Sequence, residues 1–184
     1  MEVRPLGIAQ AWEFTSREFI DPRGGFKEMY RSGELAKLIG APMHLAQVNI
    51  SRSREGVVRG IHYADVPPGQ AKYVMCIRGE IRDIVVDLRR SSPTYGKWEA
   101  THLTEDNHKA VYIGEGLGHG FVALTDATVL YLTSSEYDPK REHAVHALDR
   151  DLAIDWGVTE PLLSEKDRTA PSLAMAYATE RLPR

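Results

Sequence analysis

The chain has 184 residues, enough for one domain with a sizeable core and too few to divide comfortably into two. Charged residues make up 27% and hydrophobic ones 42%, and the formal net charge of −3 lacks the basic excess of a general nucleic-acid binder while leaving room for a local basic pocket. The single cysteine, Cys76, excludes an intramolecular disulfide, and no basic segment followed by a long apolar run marks a leader or a membrane span, so the expected setting is soluble and cytoplasmic.

Most segments are short, rich in Val, Ile, Thr and Tyr, and bounded by Gly, Pro, Asn or Asp. That is the pattern of an all-β sandwich or barrel. In chain order the expected strands are Gly25–Arg31, Met43–Ser51, Val57–Tyr63, Lys72–Arg78, Glu80–Leu88, Trp98–Leu103, Ala110–Ile113, His119–Ala123 and Ala127–Glu136. Between the first two, Ser32–Ile39 reads as a short helix stopped by Gly40. "CIRGEIRDIVVDL" reads as a hairpin turning at Arg78-Gly79, and "RRSSPTYGKW" as a turn cluster. Near the end, Ser164 has the position of an N-cap, with Asp167 three residues on as a weaker partner than Glu or Gln. Pro171 then opens a terminal helix over Ser172–Arg181. No repeat, low-complexity tract or linker interrupts the chain, which reads as one domain over residues 1–184.

The stretch "RGIHYADVPPGQAKYV" has the outline of a metal-binding β-barrel signature. Such a site needs two histidines one residue apart, so that both lie on one strand face, then a glutamate and a third histidine. Here Tyr63 and Ala64 follow His62, Gln70 and Lys72 stand near the glutamate's place, and a cationic lysine is unfavourable beside a divalent ion. No metal site is expected. The same residues suit acid–base work. Lys72, Val74 and Cys76 share one strand face, and His119, Phe121 and Ala123 share another. If both line a barrel interior, a lysine and two histidines project into a mostly apolar cavity that tunes them for proton transfer. A neutral histidine needs an acceptor on its second nitrogen, and Asp83, Asp87 and Asp167 are all candidates. Tyr131 and Tyr137, six apart, face the same way on a regular strand. Cys76, within "YVMCI", reads as a small buried hydrophobe.

Taken together, "FIDPRGGFKEMY", "QVNISRSREGVVRGIHY", "QAKYV", "GEIRDIVVDLRRSSPTYGKW", "GEGLGHGF", "YLTSSEYDPKRE" and "LSEKD" make the chain resemble the dTDP-4-dehydrorhamnose 3,5-epimerase family. The resemblance covers nearly the whole chain. It implies a cupin-type jelly-roll β-barrel or sandwich with a few short helices, a terminal helix among them. It further implies that His62 is the catalytic base, Asp167 its carboxylate partner, Tyr131 the general acid, and Lys72 the group facing the sugar's 4-keto oxygen. His119 would line the same pocket. Arg23, Phe26, Glu28, Gln47, Asn49, Arg59, Tyr137, Glu142 and Lys166 fall on positions that hold the nucleotide diphosphate and the sugar. In this family the N-terminal strand reaches into the neighbouring subunit, so Arg23, Phe26 and Glu28 are expected to serve a homodimer partner.

The implied substrate is a dTDP-4-keto-6-deoxyhexose, epimerised at C3 and C5 through an enolate, with no metal, nicotinamide or flavin. The absence of a GxGxxG-type fingerprint agrees with that. "VVRGIHYADVPPGQAKYV" is closer to members serving antibiotic deoxysugar pathways, which raises the alternative of a 3-monoepimerase acting at C3 only. A nucleotide-sugar 3,4-ketoisomerase and a non-enzymatic cupin are further alternatives. One item strains the strand logic: Arg59 and His62 are three apart, so both can face inward only if Gly60 hosts a bulge.

Overall fold

Strands with one apolar face must bury it, and here two sheets bury theirs against each other. The computed structural model describes residues 1–184. The chain begins with β1 (Glu2–Pro5) and β2 (Ala11–Thr15), then a hairpin of β3 (Glu18–Asp21) and β4 (Gly24–Lys27), and helix α1 (Ser32–Ile39). It continues through β5 (Gln47–Ser53), β6 (Val58–Ala64), β7 (Lys72–Arg78), β8 (Glu80–Asp87), β9 (Trp98–Thr104), β10 (Lys109–Ile113), β11 (Leu117–Ala123), β12 (Ala127–Thr133) and β13 (Glu142–Ala144). Two short helices, α2 (Glu165–Arg168) and α3 (Leu173–Ala178), end it. The larger sheet has the order β1-β2-β10-β7-β12-β5, the smaller β13-β6-β11-β8-β9, and β3–β4 forms a ribbon of its own. This is the expected all-β, jelly-roll-like sandwich.

Between the sheets, Val74, Cys76 and Val129 of the larger meet Ile81, Val85, Leu103, Phe121 and Ala123 of the smaller. Cys76 is buried as expected. Outside the smaller sheet, Ile61, Val86 and Leu88 pack with Trp156, Leu173 and Ala176. Outside the larger, Phe14, Tyr73 and Tyr112 pack with Met43 and with Leu35 of α1. Each such apolar side chain contributes about 1.5–3 kcal/mol by leaving water. α1 ends as its sequence requires: Gly40 adopts φ +85° and its N–H donates to the Ala36 carbonyl at 2.9 Å.

The hairpin expected at Arg78-Gly79 does not form. β7 pairs with β10 and β12, while β8 pairs with β9 and β11, so the chain crosses from one sheet to the other at this point. Gly79 makes the corner with φ +73°, and a Cβ there would strike the Asp126 carbonyl. A turn signal fixes where the chain bends, not which strand it meets next. Several bounds also differ. The strand expected at Gly25–Arg31 is β4 alone, that at Met43–Ser51 begins at Gln47 and runs to Ser53, and that at Ala127–Glu136 stops at Thr133. The terminal helix is confined to α3, where the Ser172 hydroxyl accepts from the Met175 N–H at 3.2 Å. β1, β2, β3 and β13 were not expected. β2 hides its alternation because Glu13 is buried, held by Arg4 at 3.1 Å and Lys109 at 3.0 Å.

Candidate active site

Inward-facing polar side chains interrupt the apolar interior at one side of the sandwich and leave a cavity of about 390 Å³. The strand period of two supplies most of its wall. Gln47, Asn49 and Ser51 come from β5, Tyr131 and Thr133 from β12, Lys72 from β7, and His119 and Phe121 from β11. β6 supplies His62 and Arg59. Their odd spacing is resolved by a bulge. His119 faces His62 across the ladder and Phe121 faces Arg59, so Gly60 and Ile61 together oppose Gly120. Gly60 has φ +121°, and a Cβ on it would lie 2.6 Å from the Gly120 Cα. Only glycine allows that approach. Arg59 is held by its Nε donating to the Ser53 hydroxyl at 3.0 Å and its Nη2 to the Arg52 carbonyl at 3.0 Å.

The three carboxylates left open by the sequence go to three different partners. Asp167 Oδ1 stands 2.7 Å from His62 Nε2, Asp83 Oδ2 stands 2.7 Å from His119 Nε2, and Asp87 pairs with Arg89 at 2.8 Å. The cavity therefore holds two imidazoles, each backed by a buried carboxylate. α2 presents Asp167. Its N-cap Ser164 donates its hydroxyl to Asp167 Oδ2 at 2.9 Å and accepts the Asp167 N–H at 3.1 Å. Burial works to raise the Asp167 carboxyl, but the His62 hydrogen bond and charge, the Ser164 hydroxyl and the Lys166 charge outweigh it. The carboxyl sits below its ordinary range.

Lys72 is buried at the back of the cavity. Burial pushes its ammonium below the ordinary lysine value, against the opposing pull of the Glu142 and Asp83 charges. Tyr131, on the larger sheet across from His62, is pushed above the ordinary phenol value by burial and by Glu142, with Arg59 acting the other way. Lys166 does not itself line the cavity but donates to Glu142, which does, at 2.9 Å. Gln47 donates to the Asn49 side-chain oxygen at 2.6 Å and accepts from the Tyr137 N–H at 2.9 Å. Tyr131 and Tyr137 both line the cavity, although Tyr137 lies beyond the end of β12.

Arg23, Phe26 and Glu28 stand elsewhere. They belong to the exposed β3–β4 ribbon and the residue after it and do not line this cavity; Arg23 pairs with Asp21, and Glu28 faces Arg31 at 3.7 Å. The sequence reading did not single out Ser51, Gln70, Phe121 or Thr133 as site residues, although all four line the cavity. For Ser51, Phe121 and Thr133 the signal is present, as each continues the period-two series of an expected site residue, Asn49, His119 and Tyr131. No three His, Cys, Asp or Glu side chains stand together as a metal-ligand group. No helix is long and apolar enough to cross a membrane.

The sequence model of the dTDP-4-dehydrorhamnose 3,5-epimerase family matches residues 5–175. A dTDP-4-dehydrorhamnose 3-epimerase from Streptomyces niveus is 55% identical over 100% of this chain and 89% of its own length. A dTDP-4-dehydrorhamnose 3,5-epimerase from Streptomyces griseus is 53% identical over 98% of this chain and 91% of its own length. The crystal structure of NovW, a 4-keto-6-deoxy sugar epimerase from the novobiocin biosynthetic gene cluster of Streptomyces spheroides, matches with a TM-score of 0.97 at 55% identity, covering 100% of this chain and 92% of that one. With the family model, the relatives and the fold in agreement over nearly the whole chain, the chain belongs to the dTDP-4-dehydrorhamnose 3,5-epimerase family and is an enzyme.

Proposed function

We propose that the cavity inverts C3 and C5, the two carbons flanking the ketone, of a dTDP-4-keto-6-deoxyhexose. The observation that carries this reading is the convergence of a carboxylate-backed His62, a buried Lys72 and Tyr131 on one cavity. Hydrogens on carbons next to a ketone are acidic because the electrons left behind spread onto the ketone oxygen. His62 removes such a proton from one face of the sugar, with Asp167 stabilising the imidazolium that forms. Lys72 donates to the enolate oxygen. A lysine whose affinity for its proton has been lowered by burial is a stronger donor, suited to that growing charge. Tyr131 returns a proton from the opposite sheet, and so from the opposite face, which inverts the carbon. The sugar's oxidation state is unchanged, so this route needs no redox cofactor, and Lys72 takes the place a metal would have at the oxygen.

Gln47, Asn49, Arg59, His119, Tyr137, Glu142 and Lys166 hold the nucleotide diphosphate and the sugar, the guanidinium of Arg59 being suited to phosphate oxygens. Arg23, Phe26 and Glu28 act in the cavity of a second subunit, which makes the working unit a homodimer. A second reading, inversion at C3 only, is favoured by the 55% identical relative described as a 3-epimerase. Incubation with dTDP-4-keto-6-deoxyglucose in deuterated water, followed by NMR, separates the readings. Label at both C3 and C5 is expected, label at C3 alone selects the second reading, and a product whose ketone has moved would indicate a ketoisomerase. His62→Ala should remove all label while the folded variant still binds dTDP. Label retained in that variant would take the base role away from His62.

A further inference from the structure

The β3–β4 ribbon projects from its own subunit, with Ile20 78% and Phe26 64% exposed. A two-stranded ribbon is marginal by itself in water, so its direction depends on how its root is fixed. The root is tied to the turn between β9 and β10. Buried Ser16 donates its N–H to the His108 carbonyl at 2.8 Å and its hydroxyl to the Glu28 carbonyl at 2.8 Å. Lys27 donates to the Glu105 carbonyl at 3.1 Å. Between these ties lies Glu18. One of its oxygens is 3.4 Å from His108 Nε2 and the other 3.8 Å from Lys27 Nζ. His108 is set for this contact by a left-handed backbone, φ +59°.

The Glu18 side chain lies over Gly25 of the opposite strand. A Cβ placed on Gly25 would collide with the Glu18 carboxylate, and its three nearest neighbours are all Glu18 side-chain atoms. Gly25 has no left-handed backbone, so it is the space above it that the glycine leaves free. We propose that Glu18 is a positioning residue. It links ribbon to body through His108 and Lys27 and so sets where the ribbon delivers Arg23, Phe26 and Glu28. The inference rests on the reading that these residues serve the neighbouring subunit's cavity. Glu18 lies outside its own cavity, so its effect falls on nucleotide binding and not on proton transfer.

The test compares Glu18→Gln, Gly25→Ala and the double variant in the intact protein. An ion pair that is only partly buried is modest, so each single variant should raise KM and the Kd for dTDP by about three- to tenfold, with kcat within about twofold of wild type. Gly25→Ala acts by displacing the same carboxylate, so the double variant should be no weaker than the weaker single one. A fall in kcat at constant KM, unchanged dTDP affinity, or additive losses would overturn the role of Glu18. The reading beneath it has its own control. Co-expressed His62→Ala and Arg23→Ala chains should regain activity, because a mixed dimer then holds one site with both groups intact. A mixed preparation that stays inactive removes the exchange and the positioning role with it. Regained activity with wild-type dTDP affinity in Glu18→Gln removes the positioning role alone.

Discussion

A carboxylate behind an imidazole decides which ring nitrogen carries the proton. Ionised Asp167 can only accept, so His62 Nε2 holds the hydrogen of their 2.7 Å contact and Nδ1 is left with the lone pair that the proposed proton abstraction requires. Asparagine in its place keeps the shape and loses the charge that stabilises the imidazolium. Asp167→Asn should therefore lower kcat by about 10²-fold or more with a small change in KM, measured by steady-state kinetics. The pair also bears on stability. The Asp167 carboxyl is held below its ordinary value of 3.8, so the folded state keeps it ionised where the unfolded chain would protonate it. Its stabilisation is present above the ordinary value and lost as pH falls through the lower folded one. Denaturation profiles of Asp167→Asn should show a shallower acid loss than wild type. From the residues alone three aspartates were equal candidates for this partnership. Residues 62 and 167 are joined only by folding, and the family resemblance, not spacing, singled out Asp167.

Strand by strand, the sequence was most legible where the period of two is unbroken and least where a residue is inserted or a chain end swings away. β7 is legible in full because an apolar run, Tyr73–Ile77, lies between its two charged ends, and β9 and β11 nearly so because aromatic, apolar and β-branched residues dominate them despite Glu99, His102 and His119. The turn at Gly79 is legible in the sequence and the strand pairing is not, since β7 lies between the distant β10 and β12 in one sheet while β8 lies between β9 and β11 in the other. β6 is the informative case. Arg59 and His62 violate the period, and only the bulge at Gly60 puts both into one cavity. That bulge demands close approach on both sides. A Cβ on Gly60 would meet the His119 carbonyl at 2.7 Å, and one on Gly120 would meet the Arg59 carbonyl at 2.8 Å. Gly60→Ala adds left-handed strain of about 1–3 kcal/mol to an overpacking cost of similar size. A loss of roughly 2–6 kcal/mol, seen as a Tm lowered by roughly 4–24 °C, is expected for a domain of this length. The folded remainder should bind dTDP more weakly, because Arg59 and His62 no longer share a face.

Across the whole molecule, two groups among the exposed apolar side chains each share one element. Phe19, Ile20 and Phe26 lie on the β3–β4 ribbon, and Val48 and Ile50 on the outer side of β5, the edge strand of the larger sheet. "FIDPRGGFKEMY" reads like any other pair of strands, and nothing in its residues tells that no body lies beneath it. The apolar residues that mark a core-facing strand elsewhere are here exposed on the ribbon, at Phe19, Ile20 and Phe26. An edge strand with apolar side chains and unpaired backbone groups is an association site unless something covers it. The proposed homodimer gives both patches a place out of water. Ile20 is 78% and Ile50 63% exposed, so replacing either leaves the core of its own subunit intact. Burying one such side chain is worth about 1.5–3 kcal/mol, and a symmetric dimer buries two copies of each. Ile20→Asp and Ile50→Asp should therefore each weaken the dimer by at least about a hundredfold, read by sedimentation, with the thermal stability of the monomer nearly unchanged. Because each site then lacks the partner's Arg23, Phe26 and Glu28, specific activity should fall on dilution and return on concentration. A variant that dissociates yet keeps full activity per chain would show that one subunit suffices.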